Sequence, residues 1–265
     1  LGINRLSIGI QSFNSDKLLA LGRIHNGNEA ITAVETAQRA GFKNFNLDLM
    51  FGLPQQSLQQ GLSDLQIAID LQPTHLSWYQ LTIEPNTFFY SHPPSLPDDE
   101  NIWQLQEQGQ TLLAQHGFEQ YEISAYAKTG KACKHNMNYW EFGDYLGIGA
   151  GAHGKITRAD NNSIQRLWKH RQPQAYMEAS DKRAGTQLLT ASDIIFEFML
   201  NVLRIKRGFE LQTFESHTGL SSDLLQPALA NAANKGLLVT THEHIKPSEL
   251  GYRFLNDLIN LFSPD

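Results

Sequence analysis

The first 85 residues alternate short apolar runs with amphipathic stretches, and few folds accept that order. In LSIGIQ (6–11), Leu6, Ile8 and Ile10 alternate with Ser7, Gly9 and Gln11, which predicts a strand. FNLDLMF (45–51) runs into Gly52 and Pro54, and HLSWYQLTIEP (75–85) ends at Pro85, so both read as further strands. Between them, NSDKLLALGRIH (14–25) reads as a helix with Ser15 as its expected N-cap. NEAITAVETAQRAG (28–41), stopped by Gly41, and SLQQGLSDLQIAIDLQ (57–72) carry the same helical spacing. Strand, helix, strand, helix, strand predicts an α/β fold with parallel strands buried on both faces. Functional side chains in such sheets gather at the C-terminal ends of strands. That rule singles out Gln11, Asp48 and Glu84.

Downstream, a Pro-rich loop (86–100) precedes a long helix ended by Gly117, and YEISAYA (121–127) reads as one more strand. KTGKACK then leads into HNMNYW (135–140) and the glycine-dense GIGAGAHG (147–154). From about residue 179 the pattern becomes helix, helix, wing, helix, which divides the chain into 1–178 and 179–265. The second part resembles a winged-helix-like module. Its SSDLLQPALANAANK helix carries one Lys and one Asp, and the formal net charge is -6, so nucleic acid is not an expected partner. No apolar block reaches membrane-spanning length. The only cysteine, Cys133, rules out a disulfide framework or a cysteine-held iron–sulfur cluster within one copy of this chain. It points to a reducing, cytoplasmic compartment.

Asp48 lies between Leu47 and Leu49 in a strand expected to be buried, and a buried carboxylate needs a cation or several donors. Gln11 reads equally as a ligand contact or a loop hydrogen bond, and Arg23 as a solvated helix end. GIGAGAHG has the glycines of a phosphate cradle without the strand–loop–helix setting, and His153 within it reads as an ordinary satisfied histidine. Cys133 and His135 supply at most two metal ligands where zinc needs three or four. Imidazole is also a haem ligand, and Tyr139 and Trp140 offer flat apolar surface. Haem is thus one option, beside a loop merely capped by Asn side chains.

Taken together, NRLSIGIQSFN, LLALGRIHN, FNLDLMFGLPQQ, HLSWYQLTIEPNT, HNMNYW and YLGIGAGAHG resemble the oxygen-independent coproporphyrinogen III oxidase-like group of radical S-adenosylmethionine proteins. The likeness covers essentially the whole chain, in order, and is strongest to the haem chaperone (HemW-type) branch. It implies the C-terminal part of a parallel (β/α)₆ partial TIM barrel, followed by the small winged-helix-like domain. It implies S-adenosylmethionine held by Gln11, Arg23 and Asp48, and, through the HNxxYW pattern, haem held by His135. Function would then be transfer of haem to target apoproteins, with coproporphyrinogen III oxidation as the alternative. The family's CxxxCxxC, which carries the four-iron four-sulfur cluster, is absent from this chain. A chain that opens on a strand is expected to have lost it upstream, along with the first barrel strands. Peripheral membrane association and a dimer remain open under this resemblance.

Overall fold

The computed structural model describes residues 2–158, 160–241 and 243–264, and the chain divides into two compact units, Leu1–Ala132 and Cys133–Asp265. The first unit runs β1 (Leu6–Gln11), α1 (Ser15–Ala20), α2 (Gly27–Arg39), β2 (Phe45–Phe51), α3 (Leu58–Asp70), β3 (His75–Gln80), α4 (Phe88–Ser91), α5 (Asp99–Gln115), β4 (Glu119–Glu122) and β5 (Ala125–Ala127). Its sheet has the order β1-β2-β3-β5-β4. The first three strands are parallel neighbours joined through helices, as the alternation predicts. The 121–127 segment departs from that expectation. Glu122 accepts hydrogen bonds from the Ser124 amide and hydroxyl, closing a turn, and the chain folds back as a β4–β5 hairpin antiparallel to β3.

The helices start where side chains satisfy free backbone amides. Asn26 with Glu29, and Ser57 with Gln60, form capping boxes at α2 and α3. At α1 the cap is Asn14 rather than Ser15, because Asn14 accepts from the amides of Asp16 and Lys17.

The sheet's two faces differ, contrary to the expectation of apolar burial on both. Ile10, Phe45, Leu47, Leu49, Leu76 and Trp78 pack with Val34, Leu65, Leu105 and Leu113 of the helices. On α5, a Cβ at Gly109 would stand 2.1 Å from the Trp78 ring, so only glycine lets this helix lie there. Alternation sends Ser7, Gly9 and Gln11 of β1, Asn46 and Asp48 of β2, and His75, Ser77 and Tyr79 of β3 to the other face.

The second unit runs α6 (Lys134–Trp140), β6 (His153–Arg158), β7 (Ser163–Lys169), α7 (Pro173–Glu178), β8 (Arg183–Leu188), α8 (Ala191–Val202), β9 (Phe209–Glu210), α9 (Leu211–Thr218), a 3₁₀ turn (Ser222–Leu225), α10 (Gln226–Asn234), β10 (Leu238–Thr240), β11 (His244–Pro247), α11 (Glu249–Arg253) and α12 (Leu255–Asn260). An antiparallel sheet β6-β7-β8 follows the glycine-dense loop, an element the sequence reading did not include. Beyond it lies the winged-helix-like arrangement of α8, α9 and α10 with a three-stranded sheet β10-β11-β9. His242, within the segment read from the sequence as the wing, lies outside the described residues. Phe198, fully buried on α8, meets Phe142, Phe209 and Phe214 edge-on, and this cluster centres the unit. The expected last helix is broken at Phe254 into α11 and α12. The contacts divide the chain after Ala132, whereas the change of sequence character falls near residue 179. Among the described residues no helix is long and apolar enough to cross a membrane.

Candidate functional site

Strand β1 ends in a bulge between Gly9 and Gln11, and Gln11 adopts a positive φ of 69°. The turn carries its side chain to Tyr79, whose hydroxyl donates to Gln11 Oε1 at 2.9 Å. A Cβ at Gly9 would lie 3.0 Å from Gln11 Nε2, so the glycine leaves room for the carboxamide. The following loop is anchored from below by Asp64 of α3. That buried carboxylate accepts from Ser12 Oγ at 2.6 Å and from the Phe13 amide at 2.8 Å. Burial raises the Asp64 carboxyl above its ordinary value, and these hydrogen bonds oppose the rise. Lys17 Nζ donates to the carbonyls of Pro54 and Gln55, tying α1 to the loop after β2.

Asp48 is half-buried rather than buried, and it has two of the donors that a carboxylate in a strand requires. Its Oδ1 accepts from Asn46 Nδ2 at 2.7 Å and its Oδ2 from Ser7 Oγ at 3.0 Å. Arg23 follows Gly22 just past α1 and is exposed, as a solvated helix end would be. Burial and then the Asp48 charge raise the Tyr79 hydroxyl, and the Arg23 charge lowers it. Gln11, Arg23 and Asp48 therefore share Tyr79 as a neighbour, by contact or by charge. Glu84 is exposed and lines a cleft of about 440 Å³ with Leu19, Gly22, Thr82, Thr87 and Phe88. Asn46, His75 and Ser77, which share the polar face, went unmarked by sequence reasoning. The period-two spacing of polar residues in FNLDLMF and HLSWYQ was the signal for them.

In the second unit, HNMNYW forms the short helix α6 with Cys133 as its N-cap residue. Its glycine-dense sequel is followed by a strand, which excludes the strand–loop–helix of a phosphate cradle. Asn138 Nδ2 donates to the Asp144 carbonyl at 3.0 Å. The Asp144 side chain accepts from buried Lys155 at 2.8 Å, from the Thr157 amide at 2.7 Å and from Thr157 Oγ1 at 2.8 Å. Burial works against it, but these bonds hold the Asp144 carboxyl below its ordinary value. The Arg204 guanidinium lies over the Trp140 ring at 4.4 Å. Tyr139 meets Tyr145 edge-on, and the Tyr145 hydroxyl accepts from Arg166, which pairs with Glu197. His135 is exposed. Its ring is edge-on to Tyr139 at 4.9 Å, and among the described residues neither nitrogen is hydrogen-bonded. His153 is exposed at the start of β6. Among the described residues no group of three or more His, Cys, Asp or Glu side chains is placed to hold a metal ion.

Residues 189–254 match the HemN C-terminal domain family. Heme chaperone HemW of Escherichia coli (strain K12) is 49% identical over 261 residues, which is 98% of this chain and 68% of that protein. Heme chaperone HemW of Haemophilus influenzae is likewise 49% identical over 98% of this chain and 68% of its own length. Among solved structures, coproporphyrinogen III oxidase (HemN) from Escherichia coli, described as a radical SAM enzyme, superposes with a TM-score of 0.78 at 20% identity. That superposition covers 99% of this chain and 64% of the other.

Proposed function

Because the chain belongs to the HemW heme chaperone family, we propose that it binds haem through His135 and passes it to haem-accepting apoproteins. The observation that carries this reading is the state of His135. Its imidazole is exposed and without hydrogen bonds among the described residues, on a helix whose neighbouring side chains are fixed by Asp144, Arg204 and Tyr145. An imidazole nitrogen with its lone pair uncommitted is what an iron ligand requires. Tyr139, held edge-on beside it, would limit how the ring can turn.

The polar face of the first unit suits S-adenosylmethionine. The Gln11 carboxamide and the Asp48 carboxylate can hydrogen-bond ribose hydroxyls or an ammonium group, and the Arg23 guanidinium can pair with a carboxylate. The orientation of Gln11 by Tyr79, with Gly9 leaving room for its carboxamide, supports that use. Beside a reduced four-iron four-sulfur cluster this cofactor supplies an adenosyl radical. The residues of this chain do not fit such a cluster, since Cys133 is its single cysteine, and no step here runs through one. We place the activity in the cytoplasm, from the reducing compartment that a lone thiol favours. Coproporphyrinogen III oxidation has the shared fold behind it, and at 20% identity that likeness carries no activity across.

An optical haem titration of the protein beside its His135→Ala variant tests the proposal. Saturable binding with a Soret shift that the variant loses is the expected result. Equal binding by two folded proteins would overturn the assignment of His135.

A further inference from the structure

The hydrogen bonds at Asp48 continue inward, and their order fixes the protonation of a histidine two residues further along the network. Asp48 carries a carboxylate, so the Asn46 atom facing it at 2.7 Å must be the donating Nδ2. The amide oxygen then points the other way, to His75 Nδ1 at 2.5 Å. An oxygen with no proton obliges His75 to carry its hydrogen on Nδ1. His75 Nε2 is left as an acceptor, and the Tyr121 hydroxyl lies 2.6 Å from it. The sequence of donors runs Tyr121, His75, Asn46, Asp48, each pointing at the next. Ser77 Oγ donates to the same Asn46 oxygen at 3.2 Å, and Ser7 Oγ holds the second carboxylate oxygen. His75 is 1% exposed, so water does not compete for either ring nitrogen. Burial, and then the nearby Arg5 charge, push its imidazole down to about 3, which keeps it neutral at ordinary pH.

We propose that His75 is a positioning residue for the S-adenosylmethionine site, locked as the Nδ1–H tautomer by Tyr121 and orienting the Asn46 amide that aims Asp48. This rests on the reading of Asp48 as a cofactor contact. A carboxylate anchored through one oxygen by an amide and through the other by a hydroxyl keeps one orientation, so its remaining lone pairs are presented to a ligand without a cost of ordering. His75 reaches no ligand itself in this arrangement. It acts through Asn46.

The test is S-adenosylmethionine affinity, by calorimetry, on the protein. Four variants are compared: Asp48→Asn, His75→Leu, His75→Asn and the double variant Asp48→Asn/His75→Leu. His75→Leu should weaken binding about 10-fold, the scale of one well-placed hydrogen bond. His75→Asn, whose amide nitrogen replaces Nδ1 as the donor to Asn46, should recover affinity to within about 3-fold of the parent. The double variant should bind no more weakly than Asp48→Asn alone, because the histidine acts only through that carboxylate. Losses that add in the double variant would mark a merely structural histidine and overturn the proposal. Unchanged affinity in His75→Leu with weakened Asp48→Asn would overturn it as well. Unchanged affinity in Asp48→Asn would instead overturn the cofactor reading beneath it. If His75→Leu does not fold, Tyr121→Phe takes its place in the cycle and is read against the same outcomes. Imidazole nitrogen NMR supplies a readout independent of affinity: the Nδ1–H pattern supports the lock, and an Nε2–H pattern overturns it.

Discussion

The sheet face that carries Asp48 and the helix that carries His135 hold their polar residues in opposite ways. On the sheet, Ser7, Asn46, Asp48, His75, Ser77 and Tyr121 answer one another, donor to acceptor. On α6 and the loop after it, the fixed residues are Asn138, Trp140, Tyr145 and Asp144, while the His135 ring makes no hydrogen bond among the described residues. A closed set of hydrogen bonds presents a rigid array, which suits a ligand recognised by direction. An uncommitted imidazole on an ordered helix suits a ligand captured by one coordinate bond and later released. The difference lies in what each region has already satisfied internally.

Four measurements sharpen or break that contrast. The largest effect belongs to the closed network in acid. His75 has a folded value of about 3 against about 6.5 when unfolded, so the unfolded chain takes up the proton first as pH falls. Its stabilising contribution is complete above pH ~6.5 and is lost on the way down to pH ~3, up to about 5 kcal/mol. Denaturant melts across that window should show His75→Asn losing this part of the acid slope, and an identical slope would break the picture of a neutral buried imidazole. Next comes Asp144→Ala, which strands the ammonium of Lys155, a side chain only 2% exposed. A loss of about 3 kcal/mol is expected, moderated because Asp144 itself is partly in water. Thr190→Ala removes the side-chain cap of α8 and should cost about 1 kcal/mol in the same melts. The smallest effect is His135→Ala, within about 0.5 kcal/mol of the parent, since nothing in the fold leans on that ring. A large loss there would make α6 a structural helix and remove the contrast.

The parallel strands, their connecting helices and the wing were readable because each rests on local pattern: period-two or 3.6-residue spacing, ended by Gly or Pro. Glu122 turning the chain at Ser124 was not readable, since a buried glutamate serving as a turn acceptor leaves no periodic trace. The β6-β7-β8 sheet escaped for a related reason. Its strands mix polar and apolar residues, as in RAGTQL, because much of β8 stays exposed. At the candidate site, Gln11 and Asp48 stood out as polar residues within strands. Their supporting partners Asn46 and His75 did not, although they obey the same alternation. Chain position says which face a residue shares, but the order of donors along that face exists only once β1, β2 and β3 lie side by side.

Gln11 carries a consequence for how this fold drifts. Its φ of 69° is a conformation that costs any side-chain-bearing residue roughly 1 kcal/mol and costs glycine nothing. A library selected for thermal endurance alone should therefore trade Gln11 for glycine early. If Gln11 holds the cofactor as proposed, a library selected for cofactor capture should keep the carboxamide and accept the weaker fold. The residue at this one position reports which of the two pressures a lineage has been under.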